Sequence, residues 1–281
     1  MNAFNQVLGD IIANAESKAQ YTEDDYTGED GLIYCGKCRT KKQTRVTLLG
    51  SERVVPCNCK CASERREKEK QEYEERERRR RVDELRKMGF PKSDFERCTF
   101  ENDDGANERI TEAMRRYVEN FPKLRKTGKG LLLYGDTGVG KTFYAACVAN
   151  ALMEKEYGVL MTNFTYIVRV MQKSFEDAQR YFDRLNDAPL LILDDLGVER
   201  NTEYMQEQVY NIVDSRYRSG KPMIITTNLT IEEIKKTDNI ERKRIYERIL
   251  ERCFPISVTG KNRRRQHIIN EYDDMKEMLG L

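Results

Sequence analysis

The chain has 281 residues, of which 35% are charged and 38% hydrophobic, and its formal net charge is +2. That length accommodates one ordinary α/β domain plus something smaller, and no apolar run approaches the ~18 residues of a membrane span. Any nucleic-acid argument must rest on local patches, and the single histidine, His267, leaves little room for a Ser-His-Asp triad or a histidine-built catalytic metal site.

Met1-Asn2-Ala3-Phe4-Asn5-Gln6 lacks a basic leader and a following apolar core, so no signal peptide is predicted and a cytoplasmic protein is expected. Phe4, Val7, Leu8, Ile11, Ile12 and Ala15 recur at helical spacing, which predicts a short amphipathic helix within residues 1–20. Residues 21–30 are acidic and turn-rich and read as a linker. Next come Cys35-Gly36-Lys37-Cys38, a β-prone stretch over 44–50, and Cys57-Asn58-Cys59-Lys60-Cys61. In a reducing compartment such clustering argues for metal and against disulfides. The C-x-x-C turn lets two thiolates meet one ion, and a hairpin returns the others. Zn²⁺ held by four thiolates is the natural assignment, and it is structural, because an all-thiolate shell leaves no position for water. Five cysteines compete for four positions.

Residues 64–81 are almost entirely charged, with Glu four places before a basic residue at Glu64/Lys68, Glu72/Arg76, Glu74/Arg78, Glu75/Arg79 and Glu77/Arg81. That orientation favours a solvated helix acting as a spacer. A nucleic-acid arm fed by Arg78 to Arg81 is the alternative, weakened by glutamates that repel phosphate. Composition turns globular beyond Gly89-Phe90-Pro91, giving an N-terminal cysteine-rich domain (1–62), a charged helical linker (63–88) and a large domain (89–281). In the last, apolar strands are predicted at 130–134, 158–163, 190–195, 223–228 and 255–259, separated by helical stretches. This alternation predicts a parallel sheet with helices on both faces.

Gly135-Asp136-Thr137-Gly138-Val139-Gly140-Lys141-Thr142 follows the first of these strands and opens a helix, the context of a phosphate-binding P-loop. Glycines permit positive φ, so amide N–H groups turn inward and the helix N-terminus adds its partial positive charge. Lys141 would reach the β- and γ-phosphates of ATP and Thr142 would ligate Mg²⁺. Leu190 to Leu193 run into Asp194-Asp195, the Walker B form, with Asp194 holding Mg²⁺ and Asp195, where Glu is more usual, orienting the attacking water. Asn228 ends the next strand, where it would bond the γ-phosphate or its water, although a turn-initiating Asn explains it equally. Arg248 and Arg252 lie four apart on a helix and suit either a finger into a neighbouring subunit's site or an ordinary salt-bridged surface. Residues 165–185 interleave Arg169, Lys173, Arg180 and Arg184 with Phe175 and Tyr181. That mixture suits single-stranded DNA, with an amphipathic surface helix as the plain alternative.

Residues 90–265 resemble the AAA+ ATPases of the DnaC-like helicase-loader group, with the IstB-like transposition helpers as its nearest sister. The resemblance lies in residues 131–142, in Leu191-Ile192-Leu193-Asp194-Asp195-Leu196-Gly197, in Thr226-Thr227-Asn228-Leu229 and in residues 246–252. It implies that residues 246–252 are the group's box VII, in which Arg252 matches the finger position best, and that Arg263 or Arg264 stands at the sensor 2 position. The N-terminal cysteines resemble the zinc-binding segment with which such loaders dock on a hexameric replicative helicase. There the second half is a C-x-C pair, which favours Cys35, Cys38, Cys59 and Cys61 as ligands and leaves Cys57 spare. Only 22 residues follow the last predicted strand, which fits the loader group's lack of a large helical lid. The implied function is ATP-dependent helicase loading in DNA replication by a self-associating, single-stranded-DNA-binding ATPase. A transposition-assisting ATPase that binds duplex DNA is the first alternative. A nucleotide-gated adaptor with slow hydrolysis, suggested by Asp195, is the second.

Overall fold

A computed structural model describes residues 21–48, 51–90, 93–172, 174–197 and 203–263, with single positions between 272 and 279. The amphipathic helix expected within residues 1–20 lies outside the described residues, as do Lys173 and Arg264. The chain divides into two compact units, Met1–Arg79 and Arg80–Leu281.

In the first unit β1 (Tyr26–Thr27) pairs antiparallel with β2 (Ile33–Tyr34), placing Tyr26 opposite Tyr34 with their rings stacked at 5.7 Å. A longer hairpin follows, β3 (Gln43–Leu48) with β4 (Ser51–Pro56), and α1 (Lys60–Gly89) leaves from its end. Residues 21–30 are therefore part of this unit and not a linker. Asp25 accepts hydrogen bonds from the Thr22 and Gly36 amides and pairs with Lys42, whose ammonium holds its carboxyl at about 2. Two-residue strands carry no readable periodicity, which is why composition alone suggested a loop. Along α1 the predicted Glu72–Arg76 and Glu75–Arg79 pairs form at 3.9 and 2.9 Å. These exposed pairs contribute little individually, and the helix spans the whole expected linker.

The second unit takes in the end of α1, two short 3-10 turns (Ser93–Arg97 and Phe100–Asn102) and α2 (Glu108–Thr127). Strands and helices then alternate: β5 (Gly130–Tyr134), α3 (Lys141–Glu154), β6 (Val159–Asn163), α4 (Phe164–Met171), α5 (Phe175–Asp187), β7 (Leu190–Leu196) and α6 (Glu203–Ser219). The series closes with β8 (Met223–Thr227), α7 (Ile231–Lys235), α8 (Ile240–Arg252) and β9 (Cys253–Ser257). The last strand starts two residues before its predicted position. All five strands β5 to β9 are parallel, in the order β6-β7-β8-β5-β9.

Alternate strand residues feed two cores, as the period of two requires. Leu131, Leu133, Ile192 and Ile224 pack with Met114, Phe121, Tyr144 and Leu152 of α2 and α3. Leu132, Leu191, Leu193 and Ile225 pack on the other face with Ile167, Leu185, Ile212 and Ile249 of α4, α5, α6 and α8. Both faces of the sheet are thus covered, which explains why its strands read as continuous apolar runs. Arg216 of α6 is fully buried and donates to the carbonyls of Asn186, Ala188 and Pro222, tying the end of α5 to the entry of β8. Burial pulls its guanidinium down to about 10, still well above neutrality. No helix among the described residues is long and apolar enough to cross a membrane.

Candidate active site

At the C-terminal edge of β5 the chain turns through Gly135, Gly138 and Gly140, with φ of 144°, 84° and 102°, angles that side-chain-bearing residues rarely adopt. Gly135 is fixed twice over, because a Cβ there would lie 2.2 Å from the Val258 carbonyl oxygen. Asp136 and Thr137 are exposed at the tip of the turn, and Val139 anchors it in the core. Lys141, buried at the start of α3, donates to the carbonyls of Gly135 (2.8 Å) and Asp136 (2.6 Å) and to Asn228 Oδ1 (2.7 Å). Thr142 Oγ1 donates to Asp194 Oδ1 at 2.8 Å. Residues from three parallel strands therefore converge at one sheet edge, where open α/β sheets bind ligands. A cationic ammonium, a turn of inward amides and a hydroxyl–carboxylate pair form the donor set for a nucleoside polyphosphate and its divalent cation.

Asp195 is exposed, at a φ of 60°, and its amide donates to Thr226 Oγ1 at 2.9 Å. Thr226 also donates to Asp194 Oδ1 at 2.6 Å. Sequence reading had not singled this threonine out, since its place beside the acids depends on strand order.

Arg263 lies over the P-loop. Its amide donates to Gly138 O, its guanidinium donates to the Tyr144 hydroxyl at 3.1 Å, and it pairs with Asp104 at 2.9 Å and Asp103 at 3.6 Å. The loop between the second 3-10 turn and α2 supplies those acids, partners that no local motif reveals. Arg248 and Arg252 are at the opposite edge of the sheet. Cys253, next to Arg252, pairs with Gly130, where β5 begins, whereas the P-loop leaves β5 after Tyr134. One strand length, ~16 Å, separates them. Arg248 is ion-paired to Asp214 at 2.6 Å, with its guanidinium 4.8 Å from the Tyr210 ring centre. Arg252 stacks on Tyr217 at 4.8 Å, donates to the Tyr217 carbonyl at 3.3 Å and has no carboxylate partner among the described residues.

In the first unit the sulfurs of Cys35, Cys38, Cys59 and Cys61 lie within 4.8 Å of one another. The Cys35–Cys61 and Cys59–Cys61 contacts are 3.5 and 3.4 Å. Four thiolates about 2.3 Å from one zinc ion would stand ~3.8 Å apart, so the donor set fits a tetrahedral site. Hydrogen bonding to Cys59 and the neighbouring thiols pushes the Cys61 thiol up to about 12, while the Thr40 hydroxyl holds Cys38 at about 5. Cys57 faces away, its thiol on the Lys41 carbonyl at 3.5 Å.

Between β6 and β7, Arg169, Arg180 and Arg184 are exposed, but Tyr181 is not available for base stacking. It lies on the inner face of α5 with its hydroxyl 2.8 Å from Thr162 Oγ1, because the spacing of α5 turns position 181 inward with Leu185. Among the described residues of this stretch Tyr166 is the exposed aromatic, edge-on to Tyr181 at 5.9 Å.

The sequence profile of the IstB-like ATP-binding protein family matches residues 67–270. The replicative helicase loader DnaI of Bacillus subtilis is 32% identical over 200 residues, covering 66% of this chain and 64% of the loader. The chain thus matches just under two thirds of that relative's length. A crystal structure of DnaI superposes with a TM-score of 0.50 at 28% identity, over 62% of this chain and 94% of that one. A crystal structure of the DnaC helicase loader gives 0.51 at 23% identity, over 60% and 100%, a likeness of fold.

Proposed function

Because the chain belongs to the IstB-like ATP-binding protein family, we propose that it is an ATP-hydrolysing loader that delivers a hexameric replicative helicase to single-stranded DNA in the cytoplasm. The observation that carries the ATP chemistry is the meeting of Lys141, Thr142, Asp194 and Asn228 within hydrogen-bond distance at one sheet edge. The P-loop amides and Lys141 bind and neutralise the β- and γ-phosphates. Thr142 and Asp194 would hold Mg²⁺, which supplies neutralisation of charge on the transferred phosphoryl group. Asp195 orients water for in-line attack, and Asn228 holds the γ-phosphate or that water in register. Arg263 or Arg264 acts as the sensor 2 arginine. Arg252, distant from its own P-loop and with no acidic partner among the described residues, suits a finger that stabilises transition-state charge in an adjoining subunit.

Cys35, Cys38, Cys59 and Cys61 would hold Zn²⁺ as the staple of a small helicase-docking unit. Similarity to a replicative helicase loader favours this reading over the transposition helper, which also leaves the cysteine cluster without a task. The gated-adaptor reading keeps one supporting observation, the short Asp195 side chain in a left-handed backbone conformation. Turnover with and without single-stranded DNA separates it from the motor.

The chain should co-elute with a hexameric replicative helicase, and deletion of residues 1–61 or paired Cys35→Ser, Cys38→Ser substitution should abolish co-elution. Normal binding by the double variant would sink the docking assignment. Lys141→Ala should abolish DNA-stimulated ATP hydrolysis, and retained turnover would remove the P-loop assignment.

A further inference from the structure

The two Walker acids occupy a bulge. Leu193 of β7 pairs with Ile225 of β8 and Leu196 pairs with Thr227, so Asp194 and Asp195 together face the single residue Thr226. Such bulges are rare between parallel strands and re-aim side chains where they occur beside active sites. Asp195 absorbs the extra residue at a φ of 60°, a cost that persists only when surrounding contacts over-determine it. The contact that does so is the Thr226 hydroxyl, on a fully buried side chain, which accepts from the Asp195 amide at 2.9 Å and donates to Asp194 Oδ1 at 2.6 Å. One hydroxyl thus replaces the ladder bond that the bulge removes and aims the carboxylate that Thr142 also contacts.

We propose that Thr226 is a positioning residue for ATP hydrolysis, its hydroxyl setting Asp194 for the cation and Asp195 for water. The proposal rests on the ATPase reading above. Thr226 is fully buried and acts through the two acids. Strand β8 ends at Thr227, and the next residue, Asn228, contacts Lys141, so one short segment ties the acids, the lysine and the γ-phosphate position together. Serine would keep the hydroxyl, whereas valine keeps the shape and removes both the acceptor of the Asp195 amide and the donor to Asp194.

Thr226→Val and Thr226→Ser are compared in the full-length chain by melting, by nucleotide affinity across a Mg²⁺ titration, and by turnover. Valine should raise the Mg²⁺ concentration for half-maximal nucleotide binding about tenfold and lower turnover at saturating Mg²⁺ at least about tenfold, the loss of a hydrogen bond to a charged group. Binding in EDTA, which depends on the P-loop and Lys141, should stay unchanged, and serine should stay within about threefold of wild type in every readout. The proposal is overturned if valine leaves Mg²⁺ dependence and turnover intact. It is also overturned if serine is as impaired as valine, which would assign the position to methyl packing. If the wild-type chain does not hydrolyse ATP, the ATPase reading fails by itself, and the Mg²⁺ dependence of binding still decides the role of Thr226.

Discussion

Arg248 and Arg252 are separable by experiment because their surroundings differ. Arg248→Ala strips Asp214, whose side chain is 13% exposed, of a partner at 2.6 Å and leaves it, among the described residues, the ion pair with Arg218 at 2.8 Å, a residue 74% exposed. A partly buried charge left short of ionic partners costs ~1–3 kcal/mol, and for a unit near 200 residues each kcal/mol lowers Tm by ~2–4 °C. Arg252→Ala forfeits stacking on Tyr217 and a 3.3 Å bond to its carbonyl, at most ~1 kcal/mol, because no acid is orphaned. The expected pattern is a double dissociation. Arg248→Ala should melt roughly 2–10 °C lower with turnover per folded chain within a few-fold of wild type. Arg252→Ala should melt within about 3 °C of wild type while turnover falls ~1000-fold, the scale of an arginine finger. Calorimetry and a phosphate-release assay read both quantities. Mixing Arg252→Ala with Lys141→Ala should then restore turnover, since each supplies what the other lacks. An Arg252→Ala chain that hydrolyses normally, or a mixture that stays inactive, would refute the finger assignment.

Two further outcomes follow from the cysteine and tyrosine geometry. Cys57→Ser should retain one zinc per chain by atomic absorption and keep helicase binding, whereas Cys61→Ser, whose sulfur touches those of Cys35 and Cys59, should lose both. Tyr166→Ala should weaken single-stranded DNA binding by ~1–3 kcal/mol in an anisotropy titration, roughly five- to 150-fold. Tyr181→Phe should leave that affinity unchanged and lower Tm by a few degrees through loss of its bond to Thr162.

Features encoded by neighbouring residues were legible in the sequence. The glycines of the P-loop, the apolar run into Asp194-Asp195 and the paired cysteines each state their chemistry within a few positions. The parallel sheet was legible too, because burial on both faces leaves long apolar strands. What depended on strand order or helix phase was not. Thr226 meets the acids because β8 lies beside β7, and Asp103 and Asp104 meet Arg263 from more than 150 residues away. Tyr181 looked like a DNA contact because composition cannot tell which side of α5 faces inward. Residues 21–30 looked like a linker because acids that brace a cysteine turn and acids that merely dissolve a loop read alike.

The pairing of β5 with β9 carries a consequence for symmetry. With Gly130 against Cys253 and Tyr134 against Ser257, the P-loop leaves one end of this strand pair and Arg252 enters at the other. A two-fold dimer pairs the same patch of both subunits, so a finger reaches its partner's phosphate site only where that patch holds both Arg252 and the P-loop, and both sites are then completed at once. A head-to-tail contact instead matches unlike patches, and such contacts close into rings or wind into open helices. In an open helix the finger of one terminal subunit points into solvent and the nucleotide site at the other end lacks an arginine. An open-helical assembly of this chain would therefore be polar, with one end chemically distinct from the other, and ATP hydrolysis could not begin at both ends alike.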